Sequence, residues 1–361
     1  MTSTLSSTPA ATTTIFESSS SSAASPPYSW AYAAAAGPSG DDDPAPLPEV
    51  PLIDTFFDTA TATLILVFLF LSLISLTAIL HLRIKSQFSP KLQSFSSHWT
   101  ARFLMILLIS LWSINEVLRL PIFRKSHVFT SFPPLSFSQQ TQLCKLHFIL
   151  SFGLYEPGFL VSLLFLVDIS ISKRRPSNWW ALGYVAITCL PLVVVLYFAV
   201  YILPGSFFNL PQIFYRSSSL LEDHRFGGKI VYCTYPLVGG VVFAAFGVSY
   251  AIVFLFSCWK VVSLAINKRL RARINTLALT VLVCLSLQIV MLMVSVIWNP
   301  KDLWYYALDL FNFVCVLICG VVGEGVLIIK PTVDALRVGS YSRVTVEEMG
   351  PEEESLQSTT A

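Results

Sequence analysis

The chain has 361 residues, 54% of them apolar or aromatic and only 12% charged, and a mean hydropathy of +0.68. That balance excludes an ordinary soluble multidomain protein, in which roughly a quarter of residues carry charge. The net charge of +2 decides little, but the placement of the 23 Lys and Arg residues decides a great deal.

Residues 1–58 are rich in Ser, Thr, Ala and Pro. They carry Glu17, Asp41, Asp42, Asp43, Glu49, Asp54 and Asp58 and no Lys or Arg. Such a composition buries too little apolar surface to offset chain entropy, so the segment reads as a disordered tail. It lacks the basic start and apolar core of a cleaved signal peptide and is expected to stay on the mature protein.

Seven apolar runs follow, at 59–82, 101–121, 143–167, 180–203, 236–259, 274–298 and 304–329. A helix needs about 20 apolar residues to cross roughly 30 Å of hydrocarbon, so each run is long enough to span. None alternates as a barrel strand does, and a backbone in lipid must satisfy its own hydrogen bonds, so all seven are predicted helices. Pro121, Pro236, Pro300 and Pro331 punctuate the ends, while Pro157 and Pro191 fall inside and predict kinks. Trp99, Trp179, Trp180, Trp259, Trp298 and Trp304 all fall near run ends, at the depth an amphipathic ring prefers; only Trp112 lies within a span.

Fifteen basic residues fall on one side of these spans: Arg83, Lys85, Lys91, Arg102, Lys173, Arg174, Arg175, Lys260, Lys268, Arg269, Arg271, Arg273, Lys330, Arg337 and Arg343. The other side holds eight. The positive-inside rule places the fifteen in the cytosol, with the amino-terminal tail outside and the carboxyl-terminal tail, 330–361, inside. Failure of the first or second run to insert would invert the remainder.

Seven helices, an outside amino terminus and basic inner loops resemble the G-protein-coupled receptor architecture. Cys144 falls at the outer end of the third helix and Cys233 in the outer loop between the fourth and fifth. In that superfamily a disulfide ties these two places together, so the resemblance implies a Cys144–Cys233 bridge on an oxidising side of the membrane. Two signatures of the large receptor class are absent. The third helix ends Asp168-Ile169-Ser170 rather than with an acidic residue followed by Arg, and the seventh ends Gly323-Glu324-Gly325 with no Asn-Pro-x-x-Tyr. G-protein coupling is therefore not implied by motif. The segments Asn115-Glu116-Val117-Leu118-Arg119-Leu120-Pro121 and Tyr155-Glu156-Pro157-Gly158-Phe159-Leu160 are similar to those of a plant family of seven-span candidate receptors. Over about residues 59–335, that resemblance implies a plasma-membrane or endomembrane protein.

Ionisable side chains at bilayer depth cost at least about 2.5 kcal/mol each, so each needs a partner, water or neutralisation. Glu156, beside Pro157, is open to two readings: a buried switch or ligand counter-charge, or a neutralised or paired carboxyl that fixes packing. Pro157 also releases the carbonyl of Gly153. Glu116, Asp309 and Asn312 are expected in the outer half, with Asp309 and Asn312 on one helical face. Together with His147, Glu156 and Gln288 they are candidates to line a polar pocket open to the outside; the alternative is interhelical hydrogen bonding alone. Arg119 is expected to reach the headgroups. Glu324, between Gly323 and Gly325, is open to two readings: an inner switch, with Arg273 or Arg102 as candidate basic partner, or helix packing alone.

The inner-loop bases Lys173, Arg174, Arg175, Lys268, Arg269, Arg271 and Arg273 set topology and attract anionic lipid, and they also form a candidate surface for a cytosolic partner. In the carboxyl tail, Ser340 and Ser342 follow Arg337 as kinase candidates. No phosphate loop, His-Glu-x-x-His or Gly-x-Ser-x-Gly is present, so no enzyme activity is expected. The histidines at 81, 98, 127, 147 and 224 are too scattered for paired haem ligation, and no spacing suggests zinc or nucleic-acid binding. No cofactor and no metal are expected. The outer cluster Glu222-Asp223-His224-Arg225 reads as a solvated loop.

The expected fold is an all-α integral membrane protein, a receptor-like seven-transmembrane helix bundle. Its expected partners are the lipid bilayer, a small ligand and a cytosolic signalling protein. A transporter or channel using intramembrane carboxylates, and a scaffold recruiting cytosolic proteins, are the alternatives.

Overall fold

The structure, a computed structural model, describes residues 51–87, 99–120, 136–169, 178–205, 211–223, 228–265, 267–298 and 302–334. The expected tail up to residue 50, the bases at 173–175, His224 and Arg225, and Ser340 and Ser342 lie outside the described residues.

Among the described residues seven helices are long and apolar enough to cross a membrane, which makes the chain a multi-pass membrane protein. They are α1 (Pro51–Gln87), α2 (Trp99–Arg119), α3 (Phe137–Ile169), α4 (Asn178–Tyr197, continued by a π turn at Phe198–Ile202), α5 (Leu237–Leu264), α6 (Lys268–Ser295) and α7 (Leu303–Glu324, continued by a π turn at Gly325–Ile329). Several run past the apolar stretches that predict them. An apolar run records only the thickness of hydrocarbon, whereas helical hydrogen bonding continues into polar sequence. Thus α1 starts at Pro51, inside the segment expected to be tail. At the start of α3 the Gln139 side chain accepts from the Ser136 backbone N–H at 2.9 Å, half of a capping box written in the sequence as Ser136-x-x-Gln139. The expected basic loop 260–273 is largely helical: α5 continues to Leu264, and α6 begins at Lys268 behind Asn267, whose side chain accepts from the Arg269 N–H at 2.9 Å.

Chain neighbours pack in sequence order from α1 to α7, and α7 returns to α1. Helix α3 is the central element, with 78% of its most apolar window buried against 28% for α1, α4 and α5. The outward faces of the outer helices carry large apolar side chains such as Leu66, Phe70, Ile187, Phe256 and Leu279, all exposed. In water these faces would be untenable; against hydrocarbon they cost nothing. Trp179, Trp180, Trp259 and Trp304 are likewise exposed, and Trp99 packs under the Arg83 guanidinium at 3.5 Å from its ring centre.

Close approaches replace bulk at a few glycines. A Cβ on Gly239 of α5 would lie 2.0 Å from Phe148 Cζ of α3, and one on Gly153 would meet the Val193 Cα of α4 at 3.1 Å. Around Glu324, by contrast, Gly325 has open space beside it and Gly323 meets only ordinary van der Waals neighbours. The tight position on α7 is Gly320, where a Cβ would lie 3.0 Å from Phe68 and 3.1 Å from Ile109.

Helix α3 leaves α geometry over Ser151–Tyr155, a π turn in which the Glu156 N–H donates to the Ser151 carbonyl. The turn immediately precedes Pro157, whose missing N–H already breaks the regular ladder. The irregularity of α4 falls at Phe198–Ile202, beyond Pro191.

The segment between α4 and α5, expected to be loop, contains an antiparallel hairpin, β1 (Ser218–Asp223) and β2 (Gly228–Cys233), in register from Ser218↔Cys233 to Asp223↔Gly228. Glu222 and Asp223 of the expected solvated cluster are in β1. Cys233 is disulfide-bonded to Cys144 of α3, with Cα atoms 5.2 Å apart, the pairing that the receptor resemblance implied. This bridge marks one end of the bundle, called here the disulfide end; the start of α6 lies at the opposite, basic end.

Candidate functional site: a buried polar chain

Near the disulfide end the polar side chains of the helices meet in one connected chain. It begins at Arg119, which sits on the last turn of α2 three residues after Glu116, so that both lie on one helical face. Arg119 Nε lies 3.3 Å from Glu116 Oε2, and its Nη1 contacts Asp309 of α7. The same Nη1 donates to the Tyr235 hydroxyl at 2.7 Å, which in turn donates to Asp309 Oδ1 at 3.0 Å. Arg119 and Glu116 are almost wholly buried, so the guanidinium does not reach out to the headgroups as expected. The physical reason is the pairing: two carboxylates and a hydroxyl replace the water it would otherwise seek. Tyr235 lies just before α5 and is buried; burial, the largest influence, pushes its phenol well above the ordinary range, and the Arg119 charge opposes that push.

From Glu116 the chain continues inward. The Ser151 hydroxyl lies 3.3 Å from Glu116 Oε1 and 3.0 Å from Glu156 Oε1, bridging the two carboxyl groups. Ser151 opens the π turn and Glu156 follows it, so the turn sets the spacing of the bridge. Glu156 also accepts from the Trp112 indole N–H at 3.0 Å and from Gln288 of α6 at 2.5 Å. Trp112 is held flat against Phe313 of α7, ring centres 5.2 Å apart. His147 of α3 donates from Nδ1 to the Asn115 carbonyl at 3.0 Å, the Asn115 amide returns a bond to the His147 carbonyl at 3.1 Å, and His147 Nε2 faces Glu116 at 3.9 Å.

The structure therefore brings Glu116, His147, Glu156, Gln288 and Asp309, five of the residues singled out as pocket candidates, into one network. They bind one another rather than standing open. Asn312, the sixth, is buried on the same helix, and its Oδ1, like that of Asn115, has no hydrogen-bond partner among the described residues. Sequence reasoning missed Trp112, Asn115, Ser151 and Tyr235 as members. Trp112 carried a signal, being the one tryptophan placed inside a span; Ser151 and Tyr235 carried none, because their partners are distant in sequence.

Toward the basic end, Glu324 forms a second, separate cluster. Its expected partner, Arg273 or Arg102, is not what the structure provides. Ser72 and Ser75 of α1 donate to its two carboxylate oxygens at 2.7 and 2.8 Å, and Glu324 is fully buried. The two serines are three apart and share one face of α1, which suits them to hold both oxygens. Arg273 turns instead to Asp334 at 3.0 Å, a part-exposed pair joining the start of α6 to the end of α7. Between the two clusters lies an apolar layer in which Phe68 and Ile109 pack at Gly320, and Phe159 and Leu163 pack at Gly323.

At the basic end, Lys268, Arg269 and Arg271 are exposed on the first turn of α6. Positive charge at a helix N-terminus opposes the macrodipole, so these residues do not serve helix stability. Among the described residues no cluster of three or more His, Cys, Asp or Glu side chains could hold a metal ion.

The model of a family described as Uncharacterised conserved protein UCP031277 matches residues 47–345, a stretch that contains every described helix and both strands. The chain belongs to that family. No curated protein matches the chain.

Proposed function

We propose that this family member is a seven-span, receptor-like membrane protein that senses a small ligand at its disulfide end and passes the event to its basic end by shifting helices. The observation that carries the reading is the continuous buried chain Asp309–Arg119–Glu116–Ser151–Glu156–Gln288, which ties α2, α3, α6 and α7 together. A ligand that exchanges even one of these partners changes the relative stability of two helix arrangements, and only such differential contact can transmit a signal. The π turn beside Glu156 and Pro157 offers a place where the helix can change register. The exposed bases at the start of α6 offer the effector side, facing the cytosol under the positive-inside rule. The plasma membrane is the proposed location, with the amino terminus outside.

The Ser151 hydroxyl between two carboxyl groups also favours a second reading, proton transfer by a transporter. The apolar layer at Gly320 and Gly323 opposes it, since no polar contact connects Glu156 to Glu324 among the described residues. The two readings separate in one experiment on purified full-length protein. For a receptor, a panel of small metabolites contains at least one that raises the melting temperature of the wild type and raises it less in Glu156→Gln, while reconstituted vesicles show no proton flux in either form. Flux that Glu156→Gln abolishes, with no stabilising compound in the panel, would replace the receptor by the transporter.

A further inference from the structure

The buried chain holds three carboxyl groups, Glu116, Glu156 and Asp309, against one guanidinium, Arg119. Surplus negative charge away from water needs a proton or a cation to balance it. The three carboxyl groups are not equally served. Glu156 is held by three donors at 2.5–3.0 Å, and Asp309 has the Tyr235 hydroxyl at 3.0 Å beside the Arg119 guanidinium. Around Glu116, Arg119 Nε and the Ser151 hydroxyl stand at 3.3 Å and His147 Nε2 at 3.9 Å. All three are long for bonds to a charged oxygen, which close to about 2.5–2.9 Å. A second observation is independent of charge. Asn115, the residue before Glu116, is 3% exposed, and its Oδ1 is buried without a hydrogen-bond partner among the described residues. Its amide nitrogen donates to the His147 carbonyl, which can only accept, so the atom left over is an acceptor. That bond pins the amide to the backbone of the residue whose ring faces Glu116, so the oxygen sits in the same seam between α2 and α3. Unsatisfied acceptor and surplus negative charge therefore coincide.

We propose that the small ligand is a primary amine, bound as its ammonium ion, whose N–H groups donate to the Glu116 carboxylate and the Asn115 side-chain oxygen. An ammonium brings one positive charge and three donors, which is what the two groups lack. A carboxylate or phosphate ligand would add to the surplus charge, and an alcohol would leave it unbalanced. The way in is marked by Asp309, whose side chain is 20% exposed where those of Arg119 and Glu116 are 8% and 6%. Aromatic rings border the chain: Tyr235 stands edge-on to Phe152 at 5.6 Å, and Phe313 lies flat on Trp112. Their faces attract a cation as the carboxylates do. An ammonium seated at Glu116 competes with Arg119 for the carboxylate, so binding bears on the tie from α2 to Asp309 of α7. The assignment rests on the receptor reading and names the chemical class of its ligand.

The test heats full-length protein in detergent at neutral pH with a panel of primary amines, from methylamine and putrescine to phenethylamine and tryptamine. Each is run beside the alcohol and the carboxylic acid of the same skeleton. At least one amine is expected to raise the melting temperature saturably, while its alcohol and its acid do not. Glu116→Gln and Asn115→Leu are each expected to raise the half-saturating amine concentration by about tenfold or more, the loss of one hydrogen bond to a charged group. Lys268→Gln, at the basic end, is expected to leave it unchanged. The comparison of amine, alcohol and acid needs only the wild type, so it decides the ligand class even if a variant does not fold. Stabilisation by no amine would overturn the assignment, and so would an amine shift undiminished in both variants. If another compound class stabilises the protein instead, the receptor reading survives without the amine; if no metabolite does, both fall.

Discussion

Arg119→Met is expected to be the most damaging single substitution in the bundle, costing about 3–5 kcal/mol of stability, the usual loss when one partner of a buried ion pair is removed. The magnitude follows from what stays behind. Glu116 and Asp309 remain on helices that cannot withdraw them, and the Tyr235 hydroxyl loses its donor. An exposed pair would lose little, because water would take the place of the arginine, but Arg119 and Glu116 have almost no access to solvent. Arg119→Lys should recover only part of the loss, since an ammonium on a flexible stem cannot reach two carboxylates and a phenol as the guanidinium fork does. Adding Asp309→Asn to Arg119→Met removes one stranded charge, so the double variant should lose less than the two single losses combined. The midpoint of denaturant or thermal unfolding in detergent reads all three. A wild-type midpoint for Arg119→Met would mean that the buried pair does not form.

The second large effect is expected at Glu156. Glu156→Leu removes the acceptor for Trp112, Gln288 and Ser151 at once. A stranded buried donor costs about 1–3 kcal/mol in a soluble core, whereas a hydrogen bond between spanning helices averages only about 0.6 kcal/mol. With three donors affected, a loss on the order of 2 kcal/mol is expected, since Ser151 can turn to Glu116 while Trp112, pinned by Phe313, cannot turn at all. Glu156→Gln keeps the shape and one acceptor oxygen and should lose less. An order reversed between Leu and Gln would show that Glu156 is a burden on the fold rather than its hub. Trp112 fluorescence offers a check, because its indole N–H loses its acceptor in the leucine variant and keeps a carbonyl acceptor in the glutamine one.

The helices and their number were legible because lipid imposes one simple demand, a long apolar run, and this chain satisfies it seven times. Helix ends were less legible, since Pro51 and Lys268 begin helices in polar sequence that hydropathy assigns elsewhere. The β1–β2 hairpin escaped notice because six-residue strands inside a loop carry no strong alternation, and their pairing is held partly by the Cys233 tether. At the site, the sequence marked the costly residues, Glu116, Glu156, Asp309 and Glu324, because an intramembrane carboxylate is conspicuous anywhere. It could not say which partner neutralises which. The Glu116 and Arg119 pair was within reach, being three apart on one helix, but its third member on α7 was not. Glu324 shows the same limit: a basic partner is the natural guess, and two serines on α1 satisfy both oxygens instead.

The polar chain has its proposed meaning only if the helices cross a bilayer an odd number of times, so that the tail before α1 and the tail after α7 face opposite compartments. Distinct epitope tags at the two ends, exposed to an impermeant protease in sealed vesicles of uniform orientation, test this directly. The expected result is loss of one tag with full protection of the other until detergent is added, and in intact cells the tag lost is the amino-terminal one. Loss of both tags at equal rates, or protection of both, would contradict a seven-span arrangement.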